Sequence, residues 1–320
     1  MSAMCQSVRD CEWVKGKMVG SGSFGSVHLA MNKSTGGLFV VKSARSGTGR
    51  EALNNEAKIL KALKPSPYIV QCLGTKEDRG GNLNVFMEYM AGGSLADVSH
   101  KFGGSLHEEV VRVYTREILQ GLKHLHQHGI VHCDLKCKNV LLGSSGNIKL
   151  ADFGCAKRVK DLNNDRGGLA NSLLCVGGTP LWMAPEVLRN EMLGFGADIW
   201  SLGCTVIEMA TGRPPWGVVE GSNPMASVLR IAHGDVVPHF PSHISKEGLD
   251  FLSMCLERNA DKRCSAEELL SHPFVSRNKQ YASSPTCVLE IHNFEDTYES
   301  EGHEGTSLGS SGNWITVRSG

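Results

Sequence analysis

Two periodicities divide the chain. From Trp13 to Met90, short apolar and polar alternations broken by glycine-rich turns predict strands, with one helical interruption from about residue 50 to 64. Val27-His28-Leu29-Ala30-Met31 and the run from Leu38 to Lys42 both alternate like strands, so the glycines ahead of them are expected to cap a hairpin. After Gly92-Gly93-Ser94 the period turns helical. Val110, Tyr114, Ile118, Leu122 and Leu125 recur at spacings of three or four, which puts them on one face, and Ser105 with Glu108 reads as a capping box. A second helix, Asp198 to Met209, is apolar almost all round and stops at Gly212, the pattern of a helix buried inside a lobe. The expectation is an α+β chain: a strand-rich unit over 13–90 and a mainly helical one over 91–275.

The flanks read differently. Residues 276–320 are rich in Ser, Gly, Glu and Asn, a mixture that buries too little apolar surface to offset chain entropy, so a disordered tail is expected. Its apolar patch Trp314-Ile315-Thr316-Val317 could serve regulators that bind the tail, although a solvated end is the expected reading. Residues 1–12 form a short extension.

Charge adds only exclusions. The 320 residues carry 33 Lys plus Arg and 33 Asp plus Glu, and this balance gives no global field toward nucleic acid or a membrane surface. No apolar run approaches the roughly 18 residues that predict a membrane span, and the amino terminus lacks the apolar centre of a secretory signal. Eleven cysteines without a Cys-x-x-Cys pair favour a reducing compartment, cytoplasmic with the nucleus left open, over disulfides or zinc.

The candidate chemistry is phosphate handling. Gly20-Ser21-Gly22-Ser23-Phe24-Gly25-Ser26-Val27 offers backbone amides that phosphate oxygens could approach unobstructed. A dinucleotide-binding reading requires a helix after the glycines, and a strand follows; no Walker-type string occurs anywhere. Lys42 shares a strand face with Val40, beneath the glycine loop. On the next helix Leu53, Glu56, Leu60 and Leu63 fall on one stripe, with Glu51 opposite. A carboxylate on an apolar stripe demands a cation, and Lys42 is the economical partner.

His132-Cys133-Asp134-Leu135-Lys136-Cys137-Lys138-Asn139, followed by Asp152-Phe153-Gly154, is the strongest string. Asn139 and Asp152 offer hard oxygen ligands suited to magnesium. Asp134 is placed to orient a hydroxyl and accept its proton, and Lys136 to neutralise a transferring phosphoryl group. His124, His126 and His128 are read as surface or capping histidines, because alternation spreads them around a helix. Lysines beside Cys133 and Cys137 could make those thiols redox-sensitive, against the commoner buried and inert state.

In this order, and with Ala184-Pro185-Glu186 after them, these motifs resemble the eukaryotic protein kinases across about residues 13 to 274. The resemblance implies a two-lobed fold and use of ATP and Mg2+. It implies that Asp134 is the catalytic base, that Lys42, paired with Glu56, holds phosphate, and that Asn139 and Asp152 bind the metal. Gly20, Ser21, Gly22, Ser23, Phe24, Gly25, Val27 and Val40 would enclose the nucleotide. Glu88, Tyr89 and Met90 would form the hinge that holds adenine, with Met87 guarding the space behind. Glu186 would pair with Arg263, and Asp198 would hold the catalytic-loop backbone. Lys136 with Thr179 before Pro180 matches the serine/threonine pattern.

The segment 178–187 is similar to that of the MEKK-like MAP kinase kinase kinases, most of all the small plant members, which implies MAP kinase kinases as substrates. Two positions depart from the family. Cys133 replaces an arginine that would bind a phosphorylated activation loop, so activity is expected to depend little on phosphorylation of Ser172. Val40 replaces an alanine and should tighten the adenine roof. Ser284-Pro285 has the form of a proline-directed phosphosite. The alternatives left open are a pseudokinase scaffold, a protein kinase outside the MAP kinase cascade, and a small-molecule phosphotransferase.

Overall fold

Strands β1 (Trp13–Gly22), β2 (Gly25–Asn32) and β3 (Leu38–Ala44) follow one another as antiparallel neighbours, and the helix α1 (Gly47–Ala62) leaves the end of β3. Strands β4 (Cys72–Glu77) and β5 (Leu83–Glu88) complete a five-stranded sheet in the order β1-β2-β3-β5-β4. This computed structural model describes residues 12–22, 25–45, 47–162, 178–191, 193–217 and 224–276. The expected tail phosphosite, the Trp314 patch, Ser172 and most of the amino-terminal extension lie outside them.

Strand alternation gives the sheet two different faces. Phe39 and Phe86 are buried on one, where they meet Trp13 edge-on with ring centroids 5.7–6.3 Å apart. Val40 and Lys42 therefore point to the other, beside their register partners Leu29 and Val27. α1 begins and ends somewhat earlier than its periodicity predicts; Leu53, Ile59 and Leu60 are buried and Glu51 is exposed, as the stripe requires.

The second body starts with β6 (Gly93–Ser94) and α2 (Leu95–Lys101), whose Ser94 and Asp97 form a reciprocal capping box. Then come α3 (Glu108–Gln127), β7 (Ile130–Val131), β8 (Val140–Leu142), β9 (Ile148–Leu150) and β10 (Lys157–Arg158). The helices α4 (Pro185–Leu188), α5 (Gly196–Thr211), α6 (Pro224–His233), α7 (Lys246–Cys255), α8 (Ala266–Leu269) and α9 (Pro273–Ser276) complete it. Trp200, Leu202, Cys204 and Val206 on α5 have no solvent exposure, so this helix is the axis of the lobe. It ends where Gly212 takes a left-handed φ of 66°; a Cβ there would sit 1.5 Å from the Gly104 carbonyl oxygen, which only glycine avoids.

The capping box expected at the start of α3 does not form. His107 occupies the cap position, and its side chain does not cap the helix. The Glu108 carboxylate instead accepts from the Ser245 amide at 2.8 Å and from its hydroxyl at 2.6 Å, and it pairs with Arg112. A bond to another helix wins because Ser245, the cap of α7, and Arg112 both lie within its reach. No helix among the described residues is long and apolar enough to cross a membrane.

Candidate active site

A cleft of about 640 Å³ lies under the β1–β3 face and above the helical body. Its roof is built by strand register: Val27 and Val40 descend from adjacent strands, with Gly20 and Ser21 at the edge. Gly25 belongs to the roof because φ is +129° and an added Cβ would lie 2.2 Å from the Ser43 carbonyl oxygen, so the hairpin closes onto β3. Gly22 pairs with Gly25 in the same hairpin, and Ser23 and Phe24 lie outside the described residues. Met87, Glu88, Tyr89 and Met90 form the back wall. The Glu88 side chain is already engaged, accepting from Lys149 at 2.7 and 2.8 Å and from the Gln71 amide.

Deeper in, Lys42 joins both bodies. Its Nζ lies 2.7 Å from Glu56 Oε2 and 2.9 Å from Asp152 Oδ1. Burial alone would lower the pKa of this ammonium, but the two carboxylates outweigh it and raise it. The acids divide. Burial also pulls Asp152 upward but Lys42 prevails and holds it low, while burial pushes Glu56 up despite the ammonium. Glu56 Oε1 accepts from the Phe153 amide at 3.2 Å, which locks the helix to the Asp152-Phe153-Gly154 turn. Asp152 itself sits at φ 65°, an uncommon conformation for a residue other than glycine.

The loop between β7 and β8 carries the remaining groups. Asn139 donates to the Asp134 carbonyl at 2.7 Å and to its Oδ2 at 2.8 Å. Both amide hydrogens are thereby used, which leaves Asn139 Oδ1 as its acceptor atom. Lys136 Nζ is 2.9 Å from Asp134 Oδ2, and the Thr179 hydroxyl donates to Asp134 Oδ1 at 2.9 Å while lying against Lys136. Asp198 supports the loop from α5. It accepts from the His132 amide at 2.9 Å and the Cys133 amide at 3.0 Å, with Cys133 at φ 66°.

A model of the protein kinase domain matches residues 13–275. The chain belongs to the protein kinase family. Among relatives, it is 39% identical over 290 residues to mitogen-activated protein kinase kinase kinase A of Dictyostelium discoideum, covering 88% of this chain and 29% of that protein. It is 42% identical over 278 residues to mitogen-activated protein kinase kinase kinase 3 of Arabidopsis thaliana (84% and 41%). It is 40% identical over 287 residues to kinase kinase kinase 20 of the same plant (88% and 83%). The chain thus spans less than half of the first two relatives and most of the third, and it falls in the MAP kinase kinase kinase group.

Within the kinase lobe, Arg263 grips Glu186 with two nitrogens, at 2.7 and 3.1 Å, and also donates to the Gly196 and Glu257 carbonyls. One expectation needs correction. His126 is not a surface residue: its Nε2 lies 3.0 Å from Asp198 Oδ2 and its ring stacks on Phe195. His128 is the cap at the end of α3, as the capping reading allows; its Nδ1 lies 2.7 Å from the His124 carbonyl oxygen, and the two rings are 4.5 Å apart. The thiols of Cys133 and Cys137 accord with the buried reading, because burial pushes both well above the ordinary cysteine value.

Sequence reasoning also missed two residues. Glu208 accepts from the Cys137 amide and the Trp182 indole, binding the loop between β7 and β8 to the turn after Thr179; it is one of two acids, with Asp198, on an otherwise largely apolar helix, and that was the available signal. Asn55 donates to three carbonyls of the segment 153–156. It stands one residue from Glu56, off the apolar stripe, where nothing in the spacing marks it.

Proposed function

We propose that the chain is an ATP- and Mg2+-dependent serine/threonine protein kinase whose substrates are MAP kinase kinases. One observation carries the reading: Lys42 bonds Glu56 and Asp152 at once, while Asp134, Lys136 and Thr179 cluster on the open side of the same cleft. The donor set fits a metal-bound triphosphate. Asn139 Oδ1 and the Asp152 carboxylate are hard oxygens of the kind magnesium takes, and Lys42 supplies a fixed cation for phosphate.

Each residue then has a separate task. Gly20, Ser21, Gly22 and Gly25 bring backbone close to phosphate, and Val27, Val40 and Met87 give adenine apolar walls beside the backbone of Glu88 and Met90. Bound magnesium ATP supplies the phosphoryl group and its leaving group. Asp134 orients a serine or threonine hydroxyl of the protein substrate and accepts its proton, while Lys136 neutralises charge beside it. Thr179, which holds both, positions them. The substrate class follows the names of the relatives, MAP kinase kinase kinases. A cytoplasmic location accords with the free, buried thiols of Cys137, Cys155, Cys204 and Cys255.

The test is transfer of labelled phosphate from magnesium ATP by the purified full chain to a panel of MAP kinase kinases, with Asp134→Asn alongside. We expect label on serine or threonine of at least one panel member, reduced by about 10² to 10⁴ in the variant. Label only on unrelated proteins moves the chain outside the cascade. Equal signalling by the two proteins in cells makes it a scaffold.

A further inference from the structure

Glu56 can hold Lys42 only while α1 stays against the catalytic body. The outer side of α1 is tied to the sheet, through Arg50 to the Gly81 carbonyl and Lys61 to the Thr75 hydroxyl. On the inner side, the half-buried Asn55 donates from Nδ2 to the carbonyls of Phe153, Gly154 and Ala156 at 3.4, 3.1 and 2.9 Å. Two amide hydrogens are shared among three acceptors that converge from the 3₁₀ turn Phe153–Cys155 and the residue after it. Asparagine is a poor choice in the middle of a helix, because its side chain competes for nearby backbone. At 55 that side chain is turned away from its own helix backbone and onto a different segment.

We propose that Asn55 is a positioning residue, a latch that fastens α1 to residues 153–156 and so keeps Glu56 on Lys42 and on the Phe153 amide. The proposal deepens the kinase reading and rests on it for its effect on turnover. The geometry is specific. Rotating α1 outward breaks the three Asn55 bonds and the Glu56–Phe153 bond together, so these side chains give the helix one seated arrangement. Among the described residues, the latch is made by α1 and the start of the segment, Phe153 to Ala156.

Two variants of the full chain test this. Asn55→Asp keeps the shape and removes the donor, setting a carboxylate against three carbonyl oxygens; Asn55→Leu removes all polarity. For both we expect kcat to fall about tenfold or more, peptide KM to stay within about twofold, and Asn55→Gln, which restores an amide, to recover part of the loss. Hydrogen exchange at the Phe153 amide should accelerate in both, with the thermal midpoint nearly unchanged. A kcat within about twofold of wild type in both variants overturns the latch, as does unaltered exchange at Phe153. If the wild-type chain transfers no phosphate, the functional reading fails, and the exchange comparison still decides for or against the latch. If Asn55→Leu does not fold, the isosteric Asn55→Asp carries the test.

Discussion

Two sets of buried charges sit within the same chain and are satisfied very differently. In the helical body, Glu186 meets Arg263 with both oxygens, and Arg263 uses two further donors on the Gly196 and Glu257 carbonyls. Asp198 is likewise enclosed by two backbone amides and His126. At the cleft, Asp152 is 30% exposed, Asn139 keeps an acceptor atom in reserve, and two carboxylates share the one Lys42 ammonium. Charges that the protein satisfies fully hold architecture. Charges left with spare acceptor atoms beside a cavity are arranged for something that arrives from solution.

The comparison breaks most sharply on Arg263. Arg263→Ala strands Glu186, which is 5% exposed, and such a loss costs about 3–5 kcal/mol. We expect the thermal midpoint to drop by roughly 6–20 °C, read by calorimetry. Lys42→Met should do the reverse, lowering kcat/KM about 10² to 10³-fold while the midpoint moves little, because the stranded Glu56 is already pushed toward its neutral form by burial. A Lys42→Met protein that unfolds as readily as Arg263→Ala removes the distinction between the two sets.

How much of this could be read beforehand depends on distance along the chain. The strands, the apolar face of α3 and the buried α5 follow local periods of two and 3.6, which the sequence displays directly. The Lys42–Glu56 pairing was legible because a carboxylate on an apolar stripe has few solutions. The motif order, more than any period, announced Asp134, Asn139 and Asp152. What escaped was decided by partners far away: Glu108 turned from its own helix to Ser245, His126 turned inward to Asp198, and Asn55 reached across to Phe153. Nothing in the spacing of a helix states which neighbour will pack against it.

Acid sharpens the same comparison through opposite signs. Burial would raise Asp198, but its bond to His126 and nearby charge hold it below the ordinary aspartate value. Its stabilisation is therefore complete above about pH 4 and is lost as pH falls through the lowered folded value. Glu56 lies above its ordinary value, so its charged form costs stability at neutral pH, a cost relieved as pH falls through the raised value. At pH 7 we expect Asp198→Asn to lower the midpoint and flatten its acid limb, and Glu56→Gln to leave the midpoint equal or higher while reducing turnover. Midpoints measured from pH 3 to 8 decide it, and a Glu56→Gln midpoint well below wild type counts against the assignment.

The smallest expected effect concerns thiols, where proximity to the cleft should make no difference. Cys133 adjoins Asp134, yet burial first, and then the Asp198 charge, raises its pKa well above the usual cysteine value. Cys137 lies two residues from Asn139 and is raised by burial and by Glu208. Cys255, far from the cleft in α7, is raised in the same way. Since the thiolate is the reactive species, all three should resist iodoacetamide in the native chain at pH 7.5 and react fully once guanidinium unfolds it. Mass mapping after a timed pulse gives the answer residue by residue. Rapid native labelling of Cys133 that bound ATP suppresses, with Cys255 untouched, would make the cleft thiol a reactive group and return it to the functional set.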